Sequence, residues 1–235
     1  MAVVGAALAT LLALALVFVQ PLAGRRRYHR LLAAVASDPG ARLRHYKRGV
    51  TGEWIAVGVV GLIGALVGRG PASIGITTER GLGGAGATVV EVAAVLAITA
   101  VVFRVASGGV RRALRRQAEG FLALLPHTRA ERVAFAGLAV TAGICEEILF
   151  RGFGIAYVRW LWPGASRAAL ITLTSIGFGF AHLYQGPRGV VLTGLIGALL
   201  ASVTLSSGVL LPAMLMHALL DLRILALPDL EAEPA

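Results

Sequence analysis

The feature that most constrains this chain is a series of long apolar segments separated by short polar or basic ones. Each segment comes close to the roughly 20 residues that a helix needs to cross a bilayer, and seven can be drawn: 2–22, 51–68, 85–103, 133–158, 168–184, 189–206 and 209–227. Backbone groups in lipid must be hydrogen-bonded internally, and the alternating pattern of a β-barrel is absent, so the segments predict helices. We therefore expect an all-α, polytopic bundle of about seven transmembrane helices.

The composition agrees with a membrane protein. The 235 residues are 57% hydrophobic and 14% charged, whereas a soluble domain has about 25% charged residues. We divide the chain into N-terminal spans with basic loops (1–132), a core (133–227) and a C-terminal tail (228–235). The first apolar segment lacks a basic region before it and is too long for a signal-peptide core, so we expect it to be retained as a span.

The basic residues of the chain, whose net charge is +10, crowd two regions, 24–50 and 104–132, which we predict to be loops. The positive-inside rule places both in the cytoplasm, with the N-terminus outside and the C-terminus inside. This distribution fits a lipid bilayer with anionic headgroups and excludes nucleic acid as the predicted partner. Residues 111–125 are predicted to be either an amphipathic helix on the inner surface or a solvated loop. Arginine dominates, with Lys47 the one lysine, which indicates a GC-rich bacterium and its inner membrane.

Ionisable residues in the apolar segments are costly and usually carry function. Glu146-Glu147 is followed by Arg151. Helix positions i and i+4 share a face, so Glu147 and Arg151 are predicted to form a structural ion pair. Glu146 points about 100° away and is left free to act as a general base on water. The alternative is that both acids belong to a helix-packing network of salt bridges.

Two histidines occupy later apolar segments, and each has a partner one helical turn away. Phe178 precedes His182 and is expected to wall one side of its ring. Asp221 follows His217 and is expected to accept a hydrogen bond from one imidazole nitrogen, which would direct the other nitrogen into the site. Two alternatives stay open: His182 is only a hydrogen-bonded residue at a helix end, or His217 and Asp221 both act directly as ligands or donors.

Glu146, His182 and His217 are a plausible set of ligands for zinc or another divalent metal, although the compact H-E-x-x-H motif is absent. The same groups can activate water without a metal. Cys145 is the single cysteine, which excludes an internal disulfide and a cysteine-based zinc site, and we expect a small buried hydrophobe there. Glu91 lies near a predicted span end and is expected to be interfacial.

The three patterns together resemble the CPBP family (CAAX protease and bacteriocin-processing, also called Abi), which includes the type II CAAX prenyl endopeptidases. The hallmarks of that family are E-E-x-x-x-R, F-x-x-x-H and H-x-x-x-N or D, in this order on successive helices. Here they appear as EEILFR at 146–151, FGFAH at 178–182 and HALLD at 217–221. The resemblance covers roughly residues 125–225.

The resemblance implies a helical intramembrane endopeptidase, of a family classed as metalloproteases, that acts on a membrane-protein or lipopeptide substrate. It implies that Glu146 and His182 activate the water, and that His217 and Asp221 polarise the scissile carbonyl. The CAAX-cleaving branch has asparagine where this chain has Asp221, which weakens a prenylated CAAX substrate as the prediction. Two other functions compete: a non-catalytic scaffold or immunity-type binding protein, and a proton-coupled transporter.

Overall fold

The structure, a computed structural model, describes residues 1–77 and 119–226 of the chain. Every regular element in these two ranges is helical and no strand is present there, which confirms the predicted all-α class. The predicted span 85–103, Glu91 and most of the segment 111–125 lie outside the described residues. The side chains of residues 119–120 are also not described.

The N-terminal part is an antiparallel pair of long helices. The first is continuous and consists of α1 (Ala2–Leu14), a π-helical turn (Ala15–Val19) and α2 (Gln20–Ala34). A short turn leads to α3 (Ala41–Leu66). The prediction of a loop at 24–50 is therefore wrong, because only 35–40 is non-helical. Arginine is a good helix former and can extend its charge into water, so both helices continue past the apolar segments.

The C-terminal part contains the three motifs. Thr128 and Glu131 form a capping box at the start of its first helix, and Ser166 caps a later one. Gly208, with φ of 73°, adopts the left-handed conformation and ends the helix that begins at Gly186. The helices are α4 (Arg129–Glu146), a π-helical segment (Glu147–Phe153), α5 (Gly154–Leu161), α6 (Arg167–Ala181), α7 (Gly186–Ser207) and α8 (Leu211–Leu222).

Within the described ranges, four continuous helices are long and apolar enough to cross a membrane: Ala2–Ala34, Ala41–Leu66, Arg129–Leu161 and Leu183–Ser207. The shorter α6 has 15 residues and α8 has 12. The predicted count of about seven spans is therefore not confirmed, although the chain is a multi-pass membrane protein. The apolar segment 133–158 belongs to one helix, which is continuous through its π-helical part.

Glycines allow the helices that carry the motifs to approach closely. A Cβ atom added at Gly143 of α4 would lie 2.7 Å from the backbone nitrogen of Ala218 in α8. A Cβ atom added at Gly179 of α6 would lie 2.6 Å from the carbonyl oxygen of Val190 in α7. These distances are shorter than any side chain tolerates, so backbone meets backbone at both points, as small residues permit in membrane helices. The first contact brings the two glutamates beside His217.

Candidate active site

Glu146 and Glu147 lie where the long α4 helix becomes π-helical. Glu146 is the last residue of α4, and Glu147 is the first of seven π-helical residues. The segment from Glu147 to Phe153 is entirely buried. A π-helical turn inside an α-helix is uncommon and is frequently found at functional sites, because it redirects side chains that a regular helix would stack.

The Glu147–Arg151 pair is present and fully buried. Nη1 of Arg151 donates to Oε1 of Glu147 at 2.8 Å, and neither side chain has any exposed area. Nη2 of Arg151 donates to the carbonyl oxygen of Gly197 in α7 at 3.1 Å. The guanidinium carbon also lies 4.0 Å from the centre of the Phe178 ring, a cation–π contact. Arg151 thereby links the π-helical segment to α6 and α7.

Glu147 has a second partner that the sequence reasoning did not assign to it. Nδ1 of His217 lies 2.8 Å from the same Oε1 atom that binds Arg151. A carboxylate oxygen paired with arginine can only accept, so His217 carries its hydrogen on Nδ1 and directs Nε2 into the site. Glu147 was predicted to pair with Arg151, and in the structure it binds His217 as well.

Asp221 occupies a different position from the expected one. It was predicted to accept from His217 and fix its tautomer, but Glu147 makes that contact. Oδ2 of Asp221 instead lies 3.7 Å from Nε2 of His217, beyond hydrogen-bond distance, and its side chain is 38% exposed. The helical i,i+4 spacing does bring both residues to one face, as predicted. Asp221 therefore faces the site-directed nitrogen of the ring.

His182 is fixed in an equivalent way. It follows the last residue of α6, and its Nδ1 lies 2.9 Å from the backbone carbonyl oxygen of Phe178. Because a carbonyl oxygen only accepts, Nδ1 donates there and Nε2 is left facing the site. The Phe178 ring lies 4.8 Å from the His182 ring and 5.6 Å from the His217 ring, between centroids. Phe178 thus walls both imidazoles rather than one.

The two histidines converge on Glu146. Its Oε2 atom lies 3.8 Å from Nε2 of His182 and 3.9 Å from Nε2 of His217. The Glu146 side chain is 16% exposed, and Oε2 itself is buried without a hydrogen-bond partner. Two imidazole nitrogens therefore lie within 3.9 Å of one carboxylate oxygen. A buried oxygen with no partner carries a cost that a bound water would offset.

The separations bear on metal binding. Two ligands about 2.0–2.1 Å from a tetrahedral zinc ion would be roughly 3.3 Å apart, less than the 3.8 and 3.9 Å found here. Among residues 1–77 and 119–226, no group of three or more His, Cys, Asp or Glu side chains is arranged to hold a metal ion. The donor set as placed does not fit a metal, and no step of the reaction below is derived through one.

An open cavity of about 680 Å³ leads from Glu146 and His182 toward the basic end of α2 and α3. Exposed arginines, among them Arg27 and Arg48, line its mouth. The N-terminal helices contribute the cavity wall opposite the motifs, including Glu53 of α3. Glu53 lies within electrostatic range of Glu146, His217 and Asp221. The site therefore reaches beyond the C-terminal part of the chain.

Sequence reasoning missed Glu53. It is the single acidic residue in the predicted span 51–68, and that was the signal available, since an acid in an apolar span is a functional candidate. No motif includes it, so it had no partner to suggest its orientation. Cys145, in contrast, is fully buried as expected.

The family comparison comes to the same part of the chain. A family model described as type II CAAX prenyl endopeptidase Rce1-like matches residues 128–223. Residues 128–223 are of the CPBP family. The family is one of membrane-embedded proteases, and all seven motif residues fall in the Rce1-like segment. No curated protein and no solved structure matches the chain. The division of the chain at residues 132 and 227 stays a prediction.

Proposed function

We propose that this protein is an intramembrane endopeptidase that hydrolyses peptide bonds with a water activated by Glu146. The observation that carries the proposal is the convergence of two Nε2 atoms on the unpartnered Oε2 atom of Glu146, at 3.8 and 3.9 Å. The Rce1-like match supports the same reaction class. Peptide hydrolysis needs a base that holds water beside a group that stabilises the carbonyl oxygen, and this geometry offers both.

In the proposed reaction, a water donates one hydrogen bond to Glu146 and the other to Nε2 of His182. Glu146 takes a proton as the water oxygen attacks the scissile carbonyl carbon, whose π electrons move onto its oxygen. The protonated Glu146 then gives that proton to the amide nitrogen, and the C–N bond breaks. The products are a carboxyl group and an amine, and Glu146 returns to its carboxylate form.

His217 and Asp221 act at the carbonyl oxygen. Glu147 binds Nδ1 of His217 at 2.8 Å, so a proton on Nε2 would point to the developing oxyanion. Asp221, 3.7 Å from that nitrogen, balances the charge of the protonated imidazole and cannot itself donate. Asp221 is thus a positioning residue in this proposal, and Phe178 keeps both rings oriented.

The proposed substrate is a membrane protein or lipopeptide, bound from the bilayer and cleaved in the inner membrane of a bacterium. Asp221 in place of an asparagine argues against a prenylated CAAX substrate. The basic mouth of the cavity supports a site that opens toward the cytoplasmic face, by the positive-inside rule. The ligand set predicted from the sequence, Glu146, His182 and His217, is too widely spaced here for zinc, and chelation of the purified protein tests whether a metal is needed.

The proposal is tested by comparing membrane peptides from cells that express the wild-type protein or Glu146→Gln. The control is Glu231→Gln, which removes a carboxylate from the predicted C-terminal tail. We expect peptides that are present with wild type and Glu231→Gln and missing with Glu146→Gln at equal expression. Identical peptide sets in all three strains would contradict the proposal.

A further inference from the structure

The cavity beside Glu146 has a polar wall that the proposed reaction does not use. Gln20 of α2 and Glu53 of α3 both line it. The two helices run antiparallel, and Gly5 packs against Leu66, where an added Cβ would lie 3.2 Å from the Cβ of Leu66. Because the two helices are antiparallel and joined by the turn at 35–40, this contact places Gln20 beside residues 51–55. Gln20 and Glu53 therefore face the cavity at the same depth.

Glu53 lies slightly closer to the basic end than Glu146 does. Helices α3 and α4 run parallel: Tyr46 stacks edge-on against Phe135 with ring centroids 5.8 Å apart, and an added Cβ at Gly49 would lie 3.1 Å from Leu138. The alignment of α3 with α4 that these two contacts define places Glu53 about one helical turn, roughly 6 Å, before Glu146 along the helix axis. A chain that enters from the basic end passes Glu53 before it reaches the water site.

The unused wall presents two unpartnered hydrogen-bond acceptors. Oε1 of Gln20 and Oε2 of Glu53 are buried without a hydrogen-bond partner, as is Oε2 of the neighbouring Glu146. No ion pair joins Glu53 to a cation among residues 1–77 and 119–226. Its charged neighbours include two further acids, Glu146 and Asp221. Such a wall is complementary to a group that only donates and carries positive charge.

We propose that Glu53 is a specificity-determining residue, whose carboxylate, together with the Gln20 amide oxygen, receives the side chain of a substrate lysine or arginine. The inference rests on the proposed peptidase function and adds a substrate class to it. An extended residue spans about 3.3–3.6 Å, so the cation belongs within about two residues of the scissile bond. The arginines at the mouth do not oppose it strongly, because they are exposed and screened by water and salt.

The test uses the full-length protein in lipid nanodiscs and peptides that are identical except for one residue, which is lysine, arginine or the neutral norleucine. Wild type should cleave the lysine and arginine peptides with a KM about 10- to 100-fold lower than the norleucine peptide, as expected for a charged hydrogen bond. In Glu53→Gln the KM values for the three peptides should become equal, with little change in kcat. Gln20→Glu, which adds a second carboxylate, should strengthen the preference.

Two results would overturn the inference. One is an equal loss of cleavage of all three peptides in Glu53→Gln, which would make Glu53 catalytic or structural rather than selective. The other is an unchanged preference in Glu53→Gln. Thermal unfolding of each variant, measured without peptide, shows whether a loss comes from misfolding, and in that case Gln20→Glu carries the test.

The inference can fail separately from the proposed function. Binding of the same fluorescein-labelled peptides is measured by anisotropy, which needs no cleavage. If wild type cleaves none of them but binds the lysine peptide more tightly than the norleucine peptide, with the difference lost in Glu53→Gln, the selectivity stands and the peptidase proposal fails. If Glu146→Gln abolishes cleavage while Glu53→Gln leaves the selectivity intact, the peptidase proposal stands and the role of Glu53 in selectivity fails.

Discussion

The buried Glu147–Arg151 pair should be the most destabilising place to remove a single charge. Glu147→Gln keeps the side-chain shape but leaves Arg151 as an uncompensated cation with no exposed area. Breaking a buried pair on one side costs about 3–5 kcal/mol. The glutamine oxygen can still accept from Arg151 and His217, as Glu147 Oε1 does, but it carries no negative charge. We therefore expect a loss within that range, together with reduced cleavage.

A double-mutant cycle isolates the pair from other effects of the substitutions. Arg151→Met alone leaves Glu147 buried without its guanidinium, and Glu147→Gln/Arg151→Met removes both charges. The double variant should be more stable than the sum of the two single losses predicts, with a coupling energy on the order of 1–3 kcal/mol. The free energy of unfolding is measured by denaturant titration in mixed micelles.

The control for this cycle is Arg167→Met. Arg167 is exposed and donates to Ser202 and Ser206 at the surface, so its loss should change stability by about 0.5 kcal/mol or less. If Glu147→Gln is no more destabilising than this control, or if the two single losses simply add, the account of a buried, mutually compensating pair is refuted.

Three further results are expected. Asp221→Asn removes the charge beside Nε2 of His217 and should lower kcat about 10- to 100-fold, with unchanged or higher activity indicating instead that the residue binds the oxyanion directly. Purified protein should keep its activity with a chelator that is shown to reach the site, and a loss that zinc restores would contradict the metal-free reaction. Gly143→Val should prevent stable folding, because the added Cβ meets the Ala218 backbone at 2.7 Å, and a normal unfolding transition would show that α4 and α8 are farther apart.

The local patterns of the sequence predicted much of the site. The 100° offset between adjacent helical residues separated Glu146 from the Glu147–Arg151 pair, because that relation depends on one helix alone. The i,i+4 spacing likewise placed Phe178 against His182. These relations are fixed by helix geometry, so they survive any arrangement of the bundle.

Contacts between different helices could not be predicted from the sequence. Glu147, rather than Asp221, binds Nδ1 of His217 because α4 and α8 touch at Gly143 and Ala218, and no spacing along the chain encodes that contact. Glu53 was missed for the same reason, because its proposed role depends on how α3 is aligned with α4. The helical structure of most of 24–50 was missed because the length of an apolar segment indicates the thickness of the membrane and not the length of the helix.

The central claim, that Glu146 is the base that activates water, is tested most directly by steady-state cleavage with purified protein in nanodiscs. A cleavable membrane peptide, identified from the cellular comparison, is assayed with wild type, Glu146→Gln and the exposed control His29→Ala. The account predicts a fall in kcat of about 10²- to 10⁴-fold for Glu146→Gln, with unfolding unchanged and the control at the wild-type rate. Cleavage by Glu146→Gln at the wild-type rate would contradict it.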